Sequence, residues 1–443
     1  MRLTALLEMF APAKLGRGFR WLLASALFSN LGDGIALAAG PLLVASQTDD
    51  AFLVAMAYFA QVTPPLLFSI WAGAAADRLD RRMIAIVLNL ARALILGILA
   101  VGIATGVVNI ALVLVALFLL STGETFADIA EGSLLPRLVP REHLTTANAR
   151  MSGAFLGVNQ LIAPPIGAFL FVAGAAIPFA ADAICFALGA VLITRLSTDI
   201  GRARRGGVAS RAAATGTEPA DEDDGSSENP APQAQGVLRD IGEGLRWLAK
   251  HPAMRTLVIT IVAFNVTYGA AWSVLVLYVR GQLGMGEIGY GIVTAAAAVG
   301  GILGTVGYDA LTRRFSLGDL MRAGLIIETL THLALALTRI PAIALAIFFV
   351  FGAHAFVWGT TATTIRQRSV PDELYGRISG VYRVGVFGGL VVGAPIGGFL
   401  ARTFGIAAPF WFGFVGSAIL VALLWREFSH IAHDDETPAP AVA

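Results

Sequence analysis

Apolar residues run along this chain in long, nearly continuous blocks separated by short polar turns. A helix needs about 20 apolar residues to cross a bilayer. The blocks predict twelve such helices, at roughly 19–46, 51–76, 83–106, 108–135, 145–173, 176–197, 253–280, 286–309, 317–338, 341–364, 373–402 and 405–427. Continuous hydrophobicity fits membrane spans better than the one-sided stripe of a soluble helix. Gly and Pro recur inside the blocks, as membrane helices tolerate.

One segment breaks the pattern. Residues 198–236 carry Arg202, Arg204, Arg205 and Arg211, then Glu218, Asp221, Glu222, Asp223, Asp224 and Glu228, among Gly, Ser, Pro and Ala. Such a composition buries too little apolar surface to order itself. Leu238, Ile241, Leu245 and Leu248 follow at helical spacing, which predicts a short helix over 237–250 lying on the membrane surface. The expected organisation is a tail (1–18), a six-helix bundle (19–197), a linker with its interfacial helix (198–252), a second six-helix bundle (253–427) and a closing tail (428–443).

The two halves share markers. Asp77-x-x-x-Arg81-Arg82 recurs as Asp309-x-x-x-Arg313-Arg314, Val139-Pro140 as Val370-Pro371, and Pro165-Ile166-Gly167-Ala168-Phe169-Leu170 as Pro395-Ile396-Gly397-Gly398-Phe399-Leu400. Ordered markers at one spacing indicate a duplicated unit, a common construction of solute transporters.

Composition narrows the class. The chain is 56% hydrophobic and only 14% charged, where a soluble domain carries about 25% charged residues. Its net charge of +1, with basic residues scattered through short loops, implies no nucleic-acid partner. The single cysteine, Cys185, excludes a disulfide within the chain and suggests no zinc site. The basic start, Arg2 to Arg20, runs into a full-length span rather than a cleavable signal. Arginines cluster between spans 2 and 3, 4 and 5, 8 and 9, and 10 and 11, whereas the first loop on the other side holds Asp49 and Asp50. The positive-inside rule then places both termini and 198–236 in the cytoplasm.

Gly73-Ala-Ala-Ala-Asp77-Arg78-Leu79-Asp80-Arg81-Arg82 resembles the signature of the major facilitator superfamily between spans 2 and 3, Gly-x-x-x-Asp-Arg-x-Gly-Arg-Arg, with Asp80 in place of a glycine. Leu31-Gly32-Asp33-Gly34 and the run Leu134 to Glu142, leading to Ala147-Asn148, are similar to its drug, macrolide and siderophore exporters, the branch of the enterobactin exporter. The resemblance covers roughly 19–427. It implies an all-α membrane protein, two six-helix bundles around a cavity lined mainly by spans 1, 4, 7 and 10, and proton-coupled alternating access. It also implies that Asp77, Arg78, Arg81 and Arg82 gate the transporter, with Asp309, Arg313 and Arg314 a reduced copy; a charged turn that only sets topology is the plainer alternative.

Acids inside spans cost roughly 2.5–3.5 kcal/mol on insertion scales and need a reason. Glu124, Asp128 and Glu131 share one face of span 4. Crowding and burial favour the protonated form of a carboxyl, which suits these groups to carry protons; a buried ion pair of Arg92 with Asp128, matched in depth, is the structural alternative. Asp33, between two glycines that loosen its helix, reads equally as a coupling carboxylate or a helix-packing contact. Asp182 reads as a packing contact. Glu328 and His332 share a face of span 9 and form either a local pair or a proton relay.

Asn30 of span 1, Asn265, Tyr268 and Trp272 of span 7, and His354 and Trp358 of span 10 are the candidate cavity lining, with packing as the alternative. Pro164, Pro165 and Pro395 remove helix hydrogen bonds and bend spans 5 and 11. No Gly-Lys-Ser/Thr phosphate loop and no enzyme or metal-ligand constellation is present. The expectation is therefore a monomeric, cofactor-free secondary transporter, whose partners are protons, a small-molecule substrate and the lipid bilayer. It would export an amphiphile. The same fold moving a lipid or importing a solute, and a transport-inactive membrane sensor, are the other readings.

Overall fold

The structure, a computed structural model, describes residues 12–196, 242–244 and 246–428. Twelve apolar helices account for most of them: α1 (Gly16–Gln47), α2 (Ala51–Arg78), α3 (Arg81–Ala104), α4 (Ile110–Leu138), α5 (Arg141–Ala173), α6 (Ile177–Ile193), α7 (Pro252–Trp272), α8 (Gly286–Thr312), α9 (Leu317–Leu337), α10 (Pro341–Ser369), α11 (Asp372–Phe404) and α12 (Ala408–Leu424). Ten are long enough to span a membrane, and α6 and α12 are shorter apolar helices. Each predicted span corresponds to one of these helices.

Polar turn residues start several of them. Asp50, Asp80, Asn109 and Ser316 accept hydrogen bonds from backbone N–H groups at the starts of α2, α3, α4 and α9. The cap explains why Asp80 stands where the signature has glycine: it accepts from the backbone N–H of Arg82 at 2.9 Å.

Two predicted helices are interrupted. The seventh span stops at Trp272 and continues as a short turn, Leu275–Leu277, and a π-helical turn, Tyr278–Gln282. In α5 the backbone is π-helical over Phe155–Ile162 and returns to α-helix at Ala163. Pro164 and Pro165 open that second part, and their missing N–H groups leave the preceding turn free to widen. Pro395 sits inside α11, which stays helical throughout.

Packing repeats with a shift of six helices. The pairs α1·α5, α1·α6, α2·α4, α3·α4 and α3·α6 recur as α7·α11, α7·α12, α8·α10, α9·α10 and α9·α12. Small residues let these backbones touch, as lipid-solvated helices require. A Cβ on Gly352 would fall 1.8 Å from the Ala297 carbonyl oxygen, and one on Gly397 would fall 2.0 Å from that of Ala270.

The halves meet through α2·α11 and α5·α8. Gly398 lies against Phe52 and Ala55, and Gly291 against Pro165 and Ala168. These contacts fall at the end that carries the α1–α2, α7–α8 and α11–α12 turns. There Arg280 donates to the Ala45 carbonyl at 2.9 Å and Arg402 pairs with Asp50 at 3.3 Å. The bundles are joined on this face, and the central cavities lie between it and the α2–α3 face.

Residues 1–11, 197–241, 245 and 429–443, including most of the expected linker and tails, lie outside the described residues. Within the expected interfacial helix, 242–244 and 246–250 are helical. Leu248 is buried with Met254, Ile378 and Phe428, and Glu243 pairs with Arg377 at 2.6 Å. The described part of this segment thus docks on protein, with Leu248 and Gly244 against the ends of α7 and α11.

Candidate functional site

A cavity of about 520 Å³ lies inside the first bundle and reaches the second at Arg383 and Phe387 of α11. Its wall carries Asp33 of α1, Arg92 of α3, Glu124 and Asp128 of α4, and Asp182 of α6. Two glycines create the convergence. Gly123 lets the Arg92 stem cross α4, since a Cβ there would sit 2.9 Å from Arg92 Cγ. Gly32 lets α6 press on α1, since a Cβ there would sit 2.2 Å from Asp182 Oδ1. The Arg92 guanidinium lies over the Phe186 ring, 3.8 Å from its centroid.

Arg92 donates its hydrogen bond to Asp33; Arg92 is buried and Asp33 partly so. This corrects the Arg92–Asp128 pairing weighed from the sequence. Depth matching compared only α3 with α4, whereas the guanidinium passes beyond α4 at Gly123 and ends at α1. Nor do the glycines beside Asp33 loosen its helix. The chain is helical from Gly16 to Gln47, and Gly34 serves close approach to the Asn159 backbone of α5.

Glu124 and Asp128 face the cavity without a hydrogen bond from Arg92, and Asp128 is exposed to it. Asp182, wholly buried, has both carboxyl oxygens without a hydrogen-bond partner. Beyond the packing contact expected from the sequence, it lines the cavity. Glu131 is buried off the cavity wall and accepts from Asn89 Nδ2 at 3.3 Å. Four carboxyl groups thus surround one guanidinium on the wall of a single cavity. Their mutual repulsion is relieved by protons or by a cationic ligand.

A second cavity of about 400 Å³ adjoins the first, sharing Leu37, Tyr58, Gln61, Val62 and Gln160. Its far wall is aromatic: Tyr268 stacks on Trp272 at 4.2 Å and on Phe351 at 5.7 Å, with Phe264, Tyr290 and Phe356 beside them. Tyr268 and Trp272 therefore stand where the sequence reading put them.

The other four candidates stand off both walls. Asn30 and Asn265 turn back onto the Ala26 and Ile261 carbonyls of their own helices. His354 is held by Glu328 at 3.0 Å, and Trp358 is buried with Met321 and Leu325. Local carbonyls take up Asn30 and Asn265 and Glu328 takes up His354 Nε2, while Trp358 Nε1 is buried without a hydrogen-bond partner. Sequence reasoning missed Tyr58, Gln61, Gln160 and Tyr290; Gln61 and Gln160, amides within apolar blocks, were the available signal.

In the α2–α3 turn, Arg81 donates to the Ala76 carbonyl (2.6 Å) and the Ser133 carbonyl (3.2 Å) and pairs with Asp77 at 3.1 Å. Arg82 donates to the carbonyls of Ile193 and Thr194 at the end of α6. These arginines tie α2, α4 and α6 together through helix-end carbonyls. Asp77 and Arg78 are exposed. In the second copy Asp309, Arg313 and Arg314 are exposed and make no side-chain ion pair among the described residues.

The family model of the Major Facilitator Superfamily matches residues 22–389 and, in an overlapping match, 257–442. The chain belongs to this superfamily and is accordingly a multi-pass membrane transporter of the secondary type rather than an enzyme. It is 27% identical over 415 residues to the multidrug efflux pump Tap of Mycolicibacterium fortuitum, spanning 91% of this chain and 93% of that protein. It is 24% identical to Tap of Mycobacterium tuberculosis strain H37Rv, spanning 88% of each. Among solved structures, the nucleoside transporter NupG matches with a TM-score of 0.73 at 10% identity, over 93% of this chain and 100% of that one. A bacterial homologue of the iron transporter ferroportin matches at 16% identity over 93% of this chain. Its inward-facing form scores 0.71 over 99% of that chain, and its outward-facing form 0.57 over 100%.

The geometry makes Arg92 the counter-charge for several acids and Asp33 only one of its partners. Arg92→Gln should destabilise purified protein by about 3–5 kcal/mol, the cost of breaking a buried pair from one side. Asp33→Asn should cost less, because Glu124, Asp128 and Asp182 still face the guanidinium. Thermal unfolding in one detergent measures both; a larger loss for Asp33→Asn would contradict the shared role of Arg92.

Proposed function

We propose that this protein exports amphiphilic small molecules bearing a positive charge, such as drug-like compounds, in exchange for protons, by alternating access. The observation that carries the reading is a pair of adjoining cavities, one walled by a carboxyl cluster and the other by stacked aromatic rings. A cationic head fits the first and an apolar body the second. Proton and substrate charge then relieve the same repulsion, and binding of one favours release of the other. The relatives named multidrug efflux pumps support export over uptake.

The arginine-rich α2–α3 face is the cytoplasmic one in this reading, by the positive-inside rule. The face joined by Arg280, Asp50 and Arg402 is then the outer face, and the cavity is open to the inside. The better superposition on an inward-facing than an outward-facing relative supports this state. Single cysteines replacing Thr48 or Ser226, on a Cys185→Ala background, test the orientation. An impermeant thiol reagent should label the first and spare the second in intact cells; labelling at 226 would invert the topology.

Glu124, Asp128, Asp33 and Arg92 form the coupling group, joined by Asp182. Asp77 keeps one partner, Arg81, while the inner face is open. We infer that it takes others when that face closes, with Arg78, Arg81 and Arg82 as the rest of the gate and Asp309, Arg313 and Arg314 in a lesser part. Asp77→Asn, tested for normal membrane insertion, should cut transport about tenfold or more. A wild-type rate would leave the turn as a topology signal alone.

Inside-out vesicles with an acid interior test the coupling directly. The wild type should accumulate a fluorescent lipophilic cation. Glu124→Gln mimics the protonated acid: it should keep substrate exchange but lose gradient-driven accumulation about tenfold or more. Full accumulation by this variant would remove Glu124 as carrier and shift the role to Asp33. A change in membrane lipid composition on deleting the protein, without altered drug sensitivity, would favour a lipid cargo.

A further inference from the structure

The second bundle holds a titratable cluster that the central cavities do not touch. Glu328 of α9 is 1% exposed, His332 of the same helix 0% and His354 of α10 6%. His354 Nε2 lies 3.0 Å from one carboxyl oxygen of Glu328, and His332 Nδ1 lies 3.2 Å from the other. His332 Nδ1 is also 3.0 Å from the Glu328 carbonyl oxygen, an acceptor that places the ring proton on that nitrogen. Likewise the carboxylate places the other proton on His354 Nε2. Each imidazole then keeps one bare nitrogen: His332 Nε2 and His354 Nδ1 are buried without a hydrogen-bond partner.

With both rings neutral the cluster carries one negative charge in a low-dielectric interior, which is costly. One proton added at His354 Nδ1 makes an imidazolium that still donates Nε2–H to Glu328. The charge is cancelled: one N–H bond forms as an O–H bond of the donating hydronium breaks, leaving water, and the bond to Glu328 is kept. The bare nitrogen is buried beside Gly324, on the wall of a groove. A groove of about 420 Å³ runs between α8, α9 and α10 from Asp319, in the first turn of α9, to His354. Gly324 lies on its wall, and a Cβ there would stand 3.3 Å from His354 Nδ1. Ala323 and Ala353 keep the passage wide.

We infer that Glu328, His332 and His354 form a second proton-binding site, entered along this groove and separate from the carboxyl cluster of the first bundle. Asp319 and Arg322 stand at the groove's mouth, 3.7 Å apart. From α7 the cluster meets Tyr268 and Trp272, and α12 brings no charged side chain. Arg366 of α10 is about three turns away, over the Tyr382 ring. The walls of the aromatic chamber touch the cluster directly. Phe351 meets His354 edge-on at 5.8 Å, and Trp272 lies 6.4 Å from His332. Protonation here is one ring away from bound substrate.

Full-length protein labelled with ¹⁵N-histidine and held in nanodiscs tests the site without any transport assay. Imidazole resonances are followed from about pH 5 to 8, the span over which histidines change charge. The His354 resonance, assigned by its loss in His354→Gln, should titrate in the wild type, move its midpoint in Glu328→Gln and stay unchanged in Glu124→Gln. A His354 that stays neutral across the range, in protein whose melting curve matches the wild type, overturns the proposal. So does a midpoint that follows Glu124→Gln instead of Glu328→Gln. Ala323→Phe fills the groove and should slow the response to a pH jump about tenfold; an unchanged rate overturns the groove as the route.

Discussion

The guanidinium of Arg92 holds the first bundle to a single point. It starts on α3, crosses α4 over Gly123, lies on Phe186 of α6 and ends on Asp33 of α1. In water such a contact adds little stability. In a lipid-solvated bundle no solvent replaces it, so the helices must be placed to satisfy it. The close approaches at Gly32 and Gly34 follow from the same demand, since α1 must come near enough to α5 and α6 to share the site. The acids that Arg92 does not bond directly, Glu124, Asp128 and Asp182, are left facing a cavity, where changes of charge are coupled to one another.

The second bundle repeats the packing of the first but not its chemistry. Where the first has an arginine among carboxyls, the second has aromatic rings facing the cavity and a Glu–His cluster behind them. The division gives the central space a polar and an apolar end, which neither bundle has alone. It also explains why the two charged turns differ. Arg81 and Arg82 are engaged by helix-end carbonyls of α2, α4 and α6, so the first turn is part of its bundle. The copy at Asp309 is a charged surface turn.

The faces of the molecule are held differently. On one, Gly398 and Gly291 allow backbone-to-backbone contact between bundles, supplemented by Arg280 and the Asp50–Arg402 pair. Asp50 also caps α2, so the same carboxylate begins a helix and joins the halves. The exposed ion pair by itself costs little to break, so most of the hold on this face is the close packing of α2 with α11 and of α5 with α8.

The sequence by itself determined the twelve helices, the duplication and the family, because these depend on local properties: run length, turn residues and motif spacing. It also singled out Asp33, Arg92, Glu124 and Asp128 as groups in need of partners, since they are ionisable residues inside apolar runs. Tertiary structure alone decided who those partners are. Asp33, not Asp128, receives the Arg92 hydrogen bond, because Gly123 opens a path that no pairwise depth match reveals. Trp272 lines the cavity and Trp358 does not, although both are aromatic residues in expected lining helices, because the rotation of a nearly uniformly apolar helix is set by its neighbours. Asp182 and His354 were ordinary buried polar residues in the linear chain. Their unpartnered atoms and adjoining cavities exist only once α6 meets α1 and α10 meets α9.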